Sequence, residues 1–138
     1  MTPLSKATAA AGALLAAAAL LAAGPAQAAP GGTRDGDYLY LTVTQGENQS
    51  GDARGTVLLC DPPQGHSHAA EACAELAAAD GDVARLTPAK DAMCPMVYAP
   101  VTAQARGQWN GRPVEYRETF SNSCQMAART GPVFALDD

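Results

Sequence analysis

Four cysteines, Cys60, Cys73, Cys94 and Cys124, constrain this chain more than any other feature, because all four follow an N-terminal leader of the kind removed on export. The leader places Lys6 ahead of a nearly unbroken run of Ala, Leu and Gly through Ala23, followed by Gly24-Pro25 and the small-residue pattern Ala26-Gln27-Ala28. That is the layout of a secretory signal peptide over residues 1–28, without the basic stop-transfer flank of a membrane anchor. The expected product is secreted and extracellular, free of the membrane after cleavage. Paired thiols are the default in that oxidising setting. Four cysteines allow three connectivities, and spacing alone does not choose among them. Structural zinc is the competing use, but no Cys-x-x-Cys pair exists, and His66 and His68 sit together in one loop. No metal and no cofactor are expected.

The 110 residues left after removal of the leader (138 less 28) suffice for one core and not for two, so residues 29–138 are expected to form a single domain. The whole chain has a formal net charge of −5, and losing Lys6 makes the remainder more acidic. Phosphate backbones would be repelled, which excludes nucleic acid as a partner. Acidic and basic residues are scattered, so the charge serves solubility rather than a polyionic ligand.

Ala29 to Gly36 reads as a frayed arm, with order beginning near Tyr38. Tyr38, Tyr40, Thr42 and Thr44 alternate with Leu39, Leu41 and Val43, the period of a half-buried strand. Arg54 to Leu59 predicts a second strand running into Cys60, and Asp61-Pro62-Pro63-Gln64-Gly65 is expected to break it. Ser67 is the expected N-cap of a helix that sets Ala69, Ala72, Cys73, Leu76 and Ala79 on one face and closes at Asp80-Gly81. A Cys60–Cys73 bridge would staple that helix to the preceding strand, which favours the sequential pairing without excluding the other two. Val101–Trp109 and Val114–Ser121 predict a hairpin around Asn110-Gly111. A helical turn at Cys124–Ala128 and a last strand at Pro132–Leu136 complete the reading. The class is α+β, an antiparallel sheet with helices packed on one face.

No catalytic constellation emerges. There is no Gly-x-Ser-x-Gly elbow, no His-Glu-x-x-His pair and no phosphate-cradling Gly loop, so an enzyme is not expected. The informative stretch is Met93-Cys94-Pro95-Met96-Val97-Tyr98-Ala99-Pro100. Pro95 and Pro100 each fix their own φ and push the residue before them into the extended region, which rules out helix. Two prolines also deny the stretch a central strand. Two readings stay open on spacing alone. The stretch is either an exposed apolar segment of the kind that marks a binding site, or buried edge structure with methionines as core filler. An extended, tethered, apolar segment is the shape that a serine protease accepts in its cleft as an added strand.

Met93-Cys94-Pro95-Met96-Val97-Tyr98-x-Pro100-Val101 resembles the reactive-site segment of the Streptomyces-type subtilisin inhibitor family. Further stretches agree in order: Tyr38 to Val43, Ala72-Cys73-Ala74-Glu75-Leu76, Trp109-Asn110-Gly111, Phe120-Ser121-Asn122-Ser123-Cys124 and Val133-Phe134. The resemblance implies a five-stranded antiparallel sheet with two helices, disulfides 60–73 and 94–124, and a homodimer built by sheet packing, for which Tyr40 is the interface candidate. It also implies Met96 and Val97 as the two sides of the reactive bond, in a protease-binding loop that includes Met93, Cys94, Pro95 and Tyr98. Asn122 would support that loop from behind. Ala99 stands where the family often has an acidic residue, and His68-Ala69 where it tends to have His-Pro. The implied partner is a subtilisin-like serine protease, since Met96 suits a roomy apolar pocket and would leave a trypsin-type carboxylate unpaired. A peptide- or sugar-binding module and a cell-envelope assembly protein are the alternatives that use the same exposed segment.

Overall fold

The structure, a computed structural model, describes residues 36–136. The leader and nearly all of the Gly-rich arm lie outside the described residues. In chain order the elements are β1 (Tyr38–Gln45), β2 (Ala53–Cys60), β3 (Pro63–Gln64), α1 (Ala69–Ala78), β4 (Val101–Trp109), β5 (Arg112–Phe120) and α2 (Ser123–Thr130). Short 3-10 turns occupy Val83–Arg85 and Gly131–Phe134. The five strands form one antiparallel sheet in the order β3-β2-β1-β4-β5.

Alternation in β1 decides the layering. Leu39, Leu41 and Val43 are buried, together with Leu58 of β2, Val101, Ala103 and Ala105 of β4, and Phe120 of β5. Against this face pack Ala72, Cys73 and Leu76 of α1, Met126 of α2, and Val133 and Phe134 of the last turn. Tyr38 and Tyr40 point the other way and meet edge-to-face, ring centroids 5.7 Å apart, beside the exposed Val57 and Leu59. Helices on one face and an open opposite face agree with the expected class.

The β4–β5 hairpin turns on Asn110 and Gly111, with φ of 49° and 73°. Two successive positive φ values define the type I′ turn, which is why Asn-Gly signals it so strongly. At the end of α1, Asp80 takes φ 54°, its amide reaching Ala77 O and that of Gly81 reaching Leu76 O. This is the paired-bond cap that satisfies the last helical carbonyls. The Asp80 carboxylate then receives Arg112 at 2.8 Å and Asn110 Nδ2 at 3.2 Å, which ties the helix end to the hairpin.

Three expectations are corrected. Ser67 does not cap α1. The cap position is His68, with no side-chain bond, and the first amides are served by backbone carbonyls, Ala69 N to His66 O and Ala72 N to His68 O. His66 Nδ1 accepts the His68 amide in addition. Pro63-Gln64, expected only to break β2, pairs back on it as the edge strand β3, where a proline costs no ladder bond on its solvent side. Pro132–Leu136 is not a strand. Val133 and Phe134 are consecutive and both buried, which a pleated strand between core and solvent could not achieve. A 3-10 turn led by Pro132 turns both inward. The fifth strand is therefore β3 and not the C-terminal segment.

At Gly107 the β1 backbone leaves no room for a side chain. A Cβ built there would lie 2.0 Å from Tyr38 O and 3.0 Å from Leu39 Cα, both fixed backbone atoms of β1. Gly107→Ala is expected to cost about 3 kcal/mol, because β1 and β4 must separate locally. The urea midpoint of unfolding measures it, and an unchanged midpoint would show that the strands can give way.

Candidate functional site

Residues 92–100 carry no regular secondary structure and run along one end of the sheet before β4 begins at Val101. Extended character follows from Pro95 and Pro100, as the sequence dictates. The core-filler reading fails on exposure: Met93, Val97 and Tyr98 are exposed and Met96 is fully so. Four large apolar side chains standing out of one short segment form the type of patch that marks an interaction surface.

Anchors hold this segment along its length. Cys94 is bonded to Cys124 in the first turn of α2, with Cα atoms 5.6 Å apart. The other bridge joins Cys60 to Cys73, so the structure contains the sequential pairing. Loops spanning sequence separations of 30 and 13 residues are closed by these bonds. Each contributes about 3 to 4 kcal/mol through the unfolded chain. Beyond Cys94, the Asn122 side chain donates from Nδ2 to Pro95 O at 3.1 Å and to Val97 O at 2.8 Å. These carbonyls flank Met96 on either side. The Ala99 amide donates to Ser121 O at 2.8 Å, and Pro100 O accepts from Gly46 N at 2.7 Å.

Asn122 itself is 7 % exposed, and its backbone is extended as an N-cap requires. Its Oδ1 accepts the Gln125 amide at 2.9 Å, satisfying a donor at the start of α2. One amide side chain thus caps a helix with its oxygen and clamps two carbonyls with its nitrogen. Asp in this place would lack the donors, and Ser would lack the reach.

The β1–β2 loop contributes residues that sequence reasoning missed. Glu47 accepts a hydrogen bond from the Tyr98 hydroxyl, although 51 positions separate them in the chain. Nothing in the local pattern at Gly46-Glu47 signals this. Only the pairing of Gln45 with Val101 brings the two loops together. Tyr40, the interface candidate, stands 56 % exposed on the open sheet face, away from this site.

Matches with known proteins agree with this architecture. The family model described as subtilisin inhibitor-like matches residues 35–122. A putative serine protease inhibitor of Streptomyces avermitilis is 57% identical over 127 residues, covering 92% of this chain and 86% of the relative. The subtilisin inhibitor of Streptomyces albogriseolus is 45% identical over 121 residues, 82% of this chain and 84% of its own. Among solved structures, Streptomyces caespitosus sermetstatin, crystallised in complex with Bacillus licheniformis subtilisin, superposes with a TM-score of 0.64 at 38% identity, covering 73% of this chain and 99% of that one. The relatives that share this small disulfide-linked α+β domain are named as protease inhibitors, and the family is one of inhibitors rather than enzymes. This chain belongs to the subtilisin inhibitor-like family. Among the described residues no helix is long and apolar enough to cross a membrane.

Two outcomes test the site's geometry. Asn122→Asp keeps the acceptor for Gln125 but replaces the donor with an oxygen facing two carbonyls. The NMR order parameters of Met96 and Val97 are expected to fall from the rigid range near ~0.85 toward ~0.6 while helix content is kept. Unchanged values would remove Asn122 as the clamp. Separately, the Tyr98 phenol is held above its ordinary value of 10.0, first by its bond to Glu47, then by desolvation and the carboxylate's charge. A raised phenol pKa means the bond is intact below that ordinary value and is lost as pH climbs through the raised one. The phenolate absorbance of wild type minus Tyr98→Phe should rise later than for free tyrosine, and Glu47→Ala, which removes the acceptor, should bring it back.

Proposed function

We propose that this protein inhibits subtilisin-like serine proteases by offering the Met96–Val97 bond as a substrate that is held in place. The observation that carries the reading is a fully exposed Met96 whose two flanking carbonyls are both fixed by Asn122. An enzyme cleft would take the segment as an added strand, with Met93 and Met96 filling pockets three residues apart. Affinity comes from ordering that the fold has already accomplished, so little conformational entropy is lost on binding.

Hydrolysis of the bond would release neither end. The new carboxyl side stays tied through Cys94–Cys124 and the Pro95 carbonyl, and the new amine side through the Val97 carbonyl and the Ala99 amide. The amine therefore remains next to the acyl carbon at an effective concentration far above that of a free product, which favours resynthesis. Met96 suits a roomy apolar primary pocket, and a chymotrypsin-like enzyme could take it too. Lys or Arg would be needed opposite a buried carboxylate.

Export by the leader at residues 1–28 and action outside the cell complete the proposal, consistent with two bridged cysteine pairs. So does assembly as a homodimer across the open sheet face around Tyr40, where Tyr38, Val57 and Leu59 also lie.

Titrating subtilisin with the purified mature protein tests the reading, with trypsin in parallel and mass spectrometry after long incubation. Stoichiometric loss of subtilisin activity is expected, with trace cleavage confined to Met96–Val97 and little effect on trypsin. Full subtilisin activity with the chain degraded at many bonds would discard it. Met96→Lys is expected to strengthen trypsin inhibition by at least about a hundredfold, the scale of roughly 3 kcal/mol for pairing a buried charge. No gain would mean that Met96 does not occupy the primary pocket.

A further inference from the structure

Beyond Val97 the backbone is held at Ala99 and Pro100, but the Tyr98 side chain projects outward and is 71 % exposed. A phenol in that position would rotate freely unless something met its hydroxyl. Glu47 does so. From Ala92 to Ala105 the sequence contains no Asp, Glu, Lys or Arg, so a carboxylate here must come from elsewhere in the fold.

Glu47 is well placed to serve as a fixed acceptor rather than a wandering surface charge. Its neighbour Gly46 donates from its amide to Pro100 O at 2.7 Å and accepts Thr102 Oγ1 at 2.8 Å. Arg117 of β5 reaches the carbonyl of Glu47 at 3.3 Å. Thr102 Oγ1 also lies 2.9 Å from Thr119 Oγ1, extending the polar contacts across β4 and β5. The start of the β1–β2 loop is therefore pinned to the strands on which the segment ends.

We propose that Glu47 is a positioning residue for the leaving-group side of the reactive bond: by accepting the Tyr98 hydroxyl it fixes the first large side chain after Val97 and slows release of the enzyme. The inference rests on the inhibitor reading above. Asn122 orders backbone on both sides of Met96, whereas Glu47 orders a side chain on one side only. Glu47 acts through Tyr98 and does not itself touch the protease. An aromatic ring already in its bound orientation loses no rotamer freedom at the interface, and the benefit appears mainly in the dissociation rate.

The test compares wild type, Glu47→Ala, Glu47→Gln, Tyr98→Phe and the Glu47→Ala/Tyr98→Phe double variant as intact mature proteins in complex with subtilisin. Each of Glu47→Ala and Tyr98→Phe is expected to speed dissociation about three- to tenfold, the scale of one exposed charge-assisted hydrogen bond. The double variant should be no faster than either, because both remove the same bond. Glu47→Gln, whose amide oxygen still accepts a hydrogen bond, should recover most of the loss. Association rates should stay within about twofold, and melting temperatures should not move, since both side chains lie at the surface. A Glu47→Ala complex that dissociates at the wild-type rate overturns the proposal, and so do additive effects in the double variant, which would place Glu47 against the enzyme directly. In both of those cases wild type still retains subtilisin. A wild-type protein that never retains subtilisin overturns the inhibitor reading itself, and this inference with it.

Discussion

The antiparallel pairing of β1 with β4 is the contact on which the rest of this structure depends. These strands lie far apart in sequence, and their register, from Tyr38 opposite Gln108 to Gln45 opposite Val101, fixes where the intervening chain must leave and return. Leaving from β2, the chain passes through α1 beneath the sheet and comes back at the end where β1 stops. The extended segment therefore meets β4 beside the β1–β2 loop. Gly107, with no side chain to hold the strands apart, permits the approach at the opposite end of the same ladder.

Rigidity at the site comes from sharing rather than from many separate bonds. Asn122 belongs at once to the cap of α2 and to the carbonyls around Met96, so displacing its side chain frees the segment and uncaps a helix together. Cys124 sits two residues further on and carries the disulfide to Cys94. Helix, bridge and clamp are thus arranged within three consecutive residues, Asn122 to Cys124. Any force that strains the segment works against α2 as well, and α2 packs on the core through Met126. Such coupling lets a small domain display several large apolar side chains in water without folding them back into its interior.

Much of this was legible from residue patterns. Alternation in β1, the Asn110-Gly111 turn and the Asp80-Gly81 helix stop each followed from local geometry that few other residues satisfy. The errors arose where tertiary packing competed with local preference. Pro132 to Leu136 has strand-like composition, yet the core needed both Val133 and Phe134, and only a tight turn could supply them together. Pro62-Pro63 reads as a break, and the chain does turn there, but the free edge of β2 still recruits two residues. Ser67 had the chemistry of a cap and was displaced by backbone carbonyls and a histidine ring.

What the sequence determined by itself is the set of local conformations and the chemical character of the displayed segment. Two prolines impose extension, four cysteines supply two cross-links, and Met, Val and Tyr supply apolar surface, all from covalent structure and side-chain polarity. Which of these side chains face water, and what holds them there, was decided only by tertiary structure. Exposure depends on how many atoms of the rest of the chain arrive nearby, and the bonds from Asn122 and Glu47 join positions 25 and 51 residues distant from their partners. No short-range pattern encodes such a meeting, because it exists only once the register of β1 on β4 has brought the two ends of the chain's path together.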